Sequence, residues 1–253
     1  MPANNRPTGL HKILFIPDCH VPYHDLDAFN LMLKAAKLFK PRDIVILGDF
    51  ADCYSISDHI KHPDRERSLK LEISGVNRAL DQVCALGAKR IFYLEGNHEN
   101  RLNRHIAQSA PALHGLVTME KELHLTERGI QFIPYRKIFK LGKIHITHDY
   151  GVAGKDAARS AMQTVMSCAI IGHTHRAEVT YRGRASNLPI VGAMFGWLGS
   201  FDSIDYRHQA TARRDWVHGF GVGYMDPTTS ITHVQFIPII DDQCVVEGLL
   251  VKE

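Results

Sequence analysis

Three short apolar runs, KILFIP (12–17), DIVILG (43–48) and RIFYLE (90–95), alternate with two segments of helical periodicity. LDAFNLMLKAAKLF (26–39) is halted by Pro41, and residues 66–86 carry Leu69, Ile73, Val76, Leu80 and Val83 on one face. Strand and helix alternating through short turns is the pattern of a parallel sheet with helical cover. IQFIPY (130–135), KIHITH (143–148) and CAIIGH (168–173) read as further strands, with a helix expected at 153–166. From residue 176 onward the apolar segments AEVTYRG, LPIVGAM, FGVGYM, THVQFIPII and CVVEGLLV are short and joined by Gly- and Pro-containing turns, the mark of an antiparallel or mixed sheet.

No repeat or low-complexity linker divides these halves. Two mixed sheets packed together with helices outside satisfy both patterns, so the expected fold is a four-layer α/β/β/α sandwich. Residues 1–11, which open on the polar, turn-rich MPANNRPTGL, are expected to form a flexible tail, and 12–253 a single domain. The start has neither a signal peptide's nor a membrane anchor's apolar run, which predicts a cytoplasmic chain that does not meet the membrane. Five cysteines with no C-x-x-C pair favour a reducing compartment and argue against a cysteine-built zinc site. A formal charge of +3 is too small to mark a nucleic-acid protein. Histidine, at 16 residues, is the unusual component, and imidazole is a common metal ligand and proton carrier.

The expected strand ends explain where some of that histidine goes. Asp18 and His20 follow the first run, Asp49 the second and Asn97 the third; His148, then His173 with His175, follow two later ones. Singly, each has an ordinary reading. Asp18 could cap the helix beginning near Asp25, Asp49 and Asn97 could close turns, and His148 could be a satisfied polar group. Together they place seven oxygen- or imidazole-bearing side chains at strand ends, where open α/β folds bind ligands. In extended backbone, residues i and i+2 point the same way, so D-x-H and H-x-H could each grip one ion. Seven ligands exceed one tetrahedral zinc with an open position and suit two adjacent ions, with an aspartate between them. Two divalent cations against two carboxylates leave a net positive centre that attracts phosphate and acidifies a bound water. Asn97 adds a neutral oxygen and leaves that charge intact.

Asp18-x-His20, GDFAD (48–52), GNHE (96–99), His148 and GHTH (172–175) resemble, in order, the motifs of the calcineurin-like metallophosphoesterase family. The resemblance covers residues 13 to 175. It implies that Asp18, His20 and His175 bind a first metal, that Asn97, His148 and His173 bind a second, and that Asp49 bridges them. It also implies attack on phosphorus by the water or hydroxide between the ions. His98 resembles the family histidine that assists the leaving group without binding metal, and Asp52 resembles the carboxylate that orients it; the lesser alternative for Asp52 is a simple helix or turn cap. The ions are expected to be Mn²⁺, with Fe, Zn, Ni and Mg²⁺ also compatible with a mixed nitrogen and oxygen shell.

The serine/threonine protein phosphatases of this superfamily fit less well. Cys53 stands where their GDxVDRG has arginine, Glu95 replaces the arginine before Gly96, and Asp149 and Tyr150 follow His148. Arg101 does match an arginine after their GNHE. The chain is therefore closer to small bacterial and phage phosphoesterases, acting on small phosphomonoesters or phosphodiesters, nucleotides among them. A nuclease is the alternative. It rests on residues 195–224, where Trp197, Phe201, Tyr206 and Trp216 are interspersed with Arg207, Arg213 and Arg214, while Asp202, Asp205 and Asp215 dilute the charge. Those aromatics could equally anchor a surface excursion or form a dimer surface, leaving monomer and homodimer both open. A non-catalytic scaffold is the remaining class, and the complete ligand inventory disfavours it.

Overall fold

A computed structural model describes residues 9–59, 61, 68–185, 187–203 and 215–253. In chain order the elements are β1 (His11–Ile16), α1 (Leu26–Phe39), β2 (Asp43–Ile46), α2 (Leu69–Cys84), β3 (Arg90–Leu94), α3 (Arg101–Ser109) and α4 (Met119–Glu122). Then come β4 (Ile130–Ile133), β5 (Phe139–Leu141), β6 (Ile144–Thr147), α5 (Ala157–Val165), β7 (Cys168–Ile171), β8 (Ala177–Arg184) and β9 (Asn187–Phe195). The chain ends with β10 (Gly219–Met225), β11 (Thr232–Pro238), β12 (Gln243–Val246) and β13 (Leu249–Lys252). The expected tail falls mostly on residues 1–8, outside the described residues.

One sheet has the order β11-β10-β1-β2-β3-β4 and the other β5-β6-β7-β9-β8. Strands β1 to β4 run parallel, and β10 joins β1 antiparallel. In the second sheet β6, β7 and β9 are parallel, with β5 and β8 antiparallel at the edges. Both sheets are thus mixed, as expected.

The apolar runs are continuous because the first sheet is covered on both faces. Leu14, Ile16, Ile44, Ile46 and Tyr93 face a core shared with Phe29, Met32, Val76 and Leu80 of the helices. Their neighbours Ile13, Phe15, Val45, Phe92 and Leu94 face the second sheet, meeting Ile146, Ile170, Val191 and Phe195. On its outer side the second sheet is covered by α5, through Ala158, Ala161 and Met162 against Ile171, Ile190 and Met194. Helix, sheet, sheet and helix make the four layers. Each fully buried Leu, Ile or Phe in these cores contributes about 1.5–3 kcal/mol of transfer free energy.

Local signals account for most boundaries. Asp25, not Asp18, caps α1, accepting from the Ala28 N–H at 2.9 Å. Helix α2 starts at Leu69 with Ser68 as cap, three residues later than expected. Helix α5 starts at Ala157, not 153, because Gly154 has φ +122°, outside the helical region. The last apolar segment is a hairpin of β12 and β13, turning through Glu247 and Gly248, both at positive φ. It packs on α1 through Cys244, Val246 and Val251. Among the described residues, no helix is long and apolar enough to cross a membrane.

Candidate metal centre

Parallel strands bring like ends together. The segments that leave the C-terminal ends of β1, β2 and β3 meet those that leave β6 and β7, across the gap between the two sheets. All seven expected ligands converge there. Asp18, His20 and His175 form one set, and Asp49, His148 and His173 a second; within each set the donor atoms lie within 4.8 Å of one another. A third set, His20, Asp49 and His98, links them. Asn97 belongs with the second set: its Oδ1 lies 3.0 Å from His148 Nε2 and 2.8 Å from His173 Nδ1.

The two halves of H-x-H part company. His175 Nε2 lies 3.0 Å from His20 Nε2 and 3.2 Å from Asp18 Oδ2, whereas His173 joins Asp49. The extended-strand reasoning therefore fails for this pair. Beyond β7 the backbone turns, with His173 at φ 70° and His175 at φ 58°. His20 at φ 57° and Asp49 at φ 47° are also left-handed. Four of the seven candidates thus sit in a region that His and Asp enter only at some cost.

Glycines admit this close approach. A Cβ on Gly96 would collide with the Asp49 carboxylate and backbone nitrogen, and one on Gly172 would come within 2.7 Å of Asp18 Oδ1. Glu99, fully buried, holds the loops around Asp49. It accepts hydrogen bonds from the N–H groups of Asp49, Ala51 and Gly96 at 2.9–3.0 Å and from the Tyr93 hydroxyl at 2.7 Å.

The donor set fits divalent ions, and its hydrogen bonds aim the right atoms inward. His148 Nδ1 donates to the Leu47 carbonyl at 2.9 Å, leaving Nε2 as the atom that faces Asp49. His20 Nδ1 donates to Asp52 Oδ2 at 3.2 Å, which turns its Nε2 toward His175. The charges are tightly balanced. Burial opposes ionisation of Asp49, but His148 and His98 outweigh it and hold its pKa well below the carboxylate range. Asp18 is likewise lowered against burial, by His175 and His148. Burial also opposes a charge on His148, yet Asp49 pulls it up to about 10. Burial dominates at His175, which falls to about 4. Its Nδ1 is buried with no hydrogen-bond partner among the described residues. Without ions, then, His148 carries the proton that neutralises Asp49, and a cation there must displace it.

His98 lies beside this cluster. Its backbone N–H donates to Asp49 Oδ1 at 2.9 Å, and its Nδ1 bonds the Asp52 backbone carbonyl at 3.0 Å. The Asp52 carboxylate is 3.6 Å from that nitrogen and closer to His20. It is not a helix cap. Burial raises its pKa, but His98 and His20 more than reverse this and lower it. Asp52 therefore touches both the expected leaving-group histidine and an expected ligand.

Sequence reasoning assigned nothing to Glu99 or Glu95 and left the role of Arg101 open, although GNHE and its flanks contain all three. Glu95 is buried, accepting from Asn103 Nδ2 at 3.1 Å and from the Tyr135 N–H at 2.9 Å. Two late aromatics also reach the site. Trp197, 2% exposed, stacks on His175 at 4.9 Å, and Trp216 meets the same ring edge-on at 4.3 Å. Phe201 packs against Trp197. Asp215 pairs with Arg176, whereas Asp205, Tyr206, Arg207, Arg213 and Arg214 lie outside the described residues.

A model of the calcineurin-like phosphoesterase family matches residues 11–177. The chain belongs to that family. Within it, the chain is similar to the gene 54 proteins of Mycobacterium phages L5 and D29, at 26% identity to each, with 94% of this chain and 97% of each phage protein covered. Its similarities are thus to phage and bacterial-type phosphoesterases, not to the eukaryotic serine/threonine phosphatases. Among solved structures, vacuolar protein sorting 29 from Cryptosporidium parvum superposes with a TM-score of 0.49 at 12% identity, covering 96% of this chain and 95% of that one. Yfce, a phosphoesterase from E. coli, superposes at 0.41 and 14%, covering 87% and 96%. Neither superposition is close enough to bear on activity.

Proposed function

We propose that this phosphoesterase family member hydrolyses small phosphomonoesters or phosphodiesters at a centre of two divalent ions, Mn²⁺ in the first instance. The supporting observation is that Asp49 shares one set with His148 and His173 and another with His20 and His98, so a single carboxylate lies within 4.8 Å of donors from both groups. In this reading Asp18, His20 and His175 hold one ion; Asn97, His148 and His173 hold the other; Asp49 is common to both. When bound, the pair supplies positive charge to the phosphoryl oxygens and lowers the pKa of a water.

The remaining work falls to the chain itself. Asp52 fixes the His20 ring through Nδ1. His98 commits Nδ1 to the Asp52 carbonyl, which leaves Nε2 as the atom to meet the leaving oxygen. Trp197 and Trp216 pack on the His175 ring and fix its orientation. Of the pattern behind the nuclease alternative, Trp197 and Trp216 lie beside His175 with Phe201 against Trp197, and Arg207, Arg213 and Arg214 lie outside the described residues.

Metal-stripped and Mn²⁺-reconstituted protein assayed on p-nitrophenyl phosphate, its bis-ester, cyclic nucleotides, a phosphopeptide and DNA provides the test. Metal-dependent turnover of the aryl esters with little on the phosphopeptide is expected; no turnover of any ester defeats the reading. Because donors come from both sheets, the chain from 12 to 253 is proposed to act as one domain. Proteolysis near 115–128 that released separately folded, separately metal-binding pieces would contradict this.

A further inference from the structure

Arg101 opens α3 three residues beyond His98, and its side chain is 11% exposed. Nη1 donates to the Asp52 backbone carbonyl at 2.8 Å and lies 3.5 Å from Oδ1 of the same residue. Nη2 lies 3.1 Å from His98 Nε2. A guanidinium only donates, so Nε2 accepts here and the ring proton sits on Nδ1, facing the Asp52 carbonyl. That same Nε2 is 3.8 Å from Asp49 Oδ2. A permanent cation is therefore anchored next to the His98 nitrogen that looks toward the shared carboxylate.

Neutral imidazole is a weak partner for a guanidinium, whose planar fork suits the oxygens of phosphate. The two positions where protein phosphatases have arginine offer no cation here. Cys53 is a buried thiol, and Glu95 is turned toward Asn103 and Tyr135. Asp52 holds Nη1 in place, so Nη2 can change partner without the whole side chain moving. Resting on the phosphoesterase reading above, we propose that Arg101 is a substrate-binding residue. It exchanges His98 Nε2 for a non-bridging phosphoryl oxygen and favours dianionic phosphomonoesters over diesters. A monoester carries close to two negative charges near neutral pH and a diester one, so a fixed positive charge discriminates between them. The exchange also frees His98 Nε2, which takes up a proton from solvent before it can donate to the leaving oxygen.

The test uses Mn²⁺-loaded wild type, R101Q and R101K. Bound metal, inorganic phosphate affinity by calorimetry, and kcat/KM for p-nitrophenyl phosphate and its bis-ester are measured for each. R101Q is expected to keep both ions and to bind phosphate at least about tenfold more weakly. It is also expected to lose about 10²-fold on the monoester and less than tenfold on the diester. R101K, which keeps the charge without the fork, is expected to recover part of the phosphate affinity. Equal losses on both esters with unchanged phosphate binding would reduce Arg101 to a brace for His98, and loss of metal in both variants would make it structural; either result overturns the proposal. Wild type that turns over neither ester sinks the phosphoesterase reading and this inference together, whereas an active wild type whose ester preference survives in R101Q sinks the inference alone.

Discussion

Glu99 accepts a hydrogen bond through Oε2 from the backbone N–H of Asp49 at 3.0 Å, so one buried carboxylate sets the position of another. Three further donors converge on it, from Ala51, Gly96 and Tyr93. In Glu99→Gln the amide nitrogen must face at least one of them, leaving a buried donor unpaired at a cost of about 1–3 kcal/mol. Thermal melts should show the loss, and metal titration should show weaker binding at both sets. Full two-ion occupancy with wild-type stability would remove Glu99 from the support of Asp49.

Asp49 and His20 differ in reach. Asp49→Ala should weaken both ions, whereas His20→Ala should mainly weaken the one held with Asp18 and His175. Metal analysis at saturating Mn²⁺, with anomalous scattering to locate the ions, checks this. A single site in the wild-type protein, or loss of one ion only in Asp49→Ala, contradicts a shared role.

His98→Ala should keep both ions while kcat falls by about 10²–10⁴-fold for alkoxide-like leaving groups, and much less for p-nitrophenolate. Asp52→Asn should show a milder form of that pattern. It should also bind the first ion less tightly, because its carboxylate is nearer His20 Nδ1, at 3.2 Å, than His98 Nδ1, at 3.6 Å. Rates over a leaving-group series, taken with metal content, separate the two effects. A uniform loss on all substrates accompanied by lost metal would make His98 a structural brace.

Glu95 carries a pH signature. Burial pushes its pKa from the ordinary 4.5 to about 7, although the Tyr135 N–H works the other way. The unfolded chain therefore ionises first, and Glu95 makes stability fall as pH rises from about 4.5 to about 7. Urea unfolding of the metal-free protein at pH 5 and pH 8 should show Glu95→Gln gaining on the wild type across that interval. A stability difference that stays constant with pH counts against a buried, ionising Glu95.

The strands that carry the site were legible because burial on two faces leaves an uninterrupted apolar run, as in Ile13 to Ile16 and Ile44 to Leu47. Helix α3 was not legible, since only Leu102 and Ile106 of its residues are buried, and two positions make no periodic pattern. Strand β5 is three residues long, too short for alternation to register. At the site, residue types at strand ends pointed to side chains that the fold brings together. The partition of His173 from His175 depends on backbone angles that strand periodicity does not encode, and only the resemblance of GHTH to the family motif implied it. The contact between Arg101 and His98 depends on where a helix starts, and the spread of Asp52 over two histidines depends on packing between loops.

Left-handed backbone at His20, Asp49, His173 and His175 has a consequence for any population of variants of this chain. Glycine occupies such angles without the steric cost, of order 1 kcal/mol per residue, that a side chain incurs there. A library screened for heat resistance alone, in chelator, should therefore enrich glycine at these four positions and discard the imidazoles and the carboxylate. Selection on turnover has to oppose that drift at every one of them. Ancestral or consensus sequences chosen for robustness would then mark, by the glycines they acquire, where this chain gives up stability to keep its chemistry.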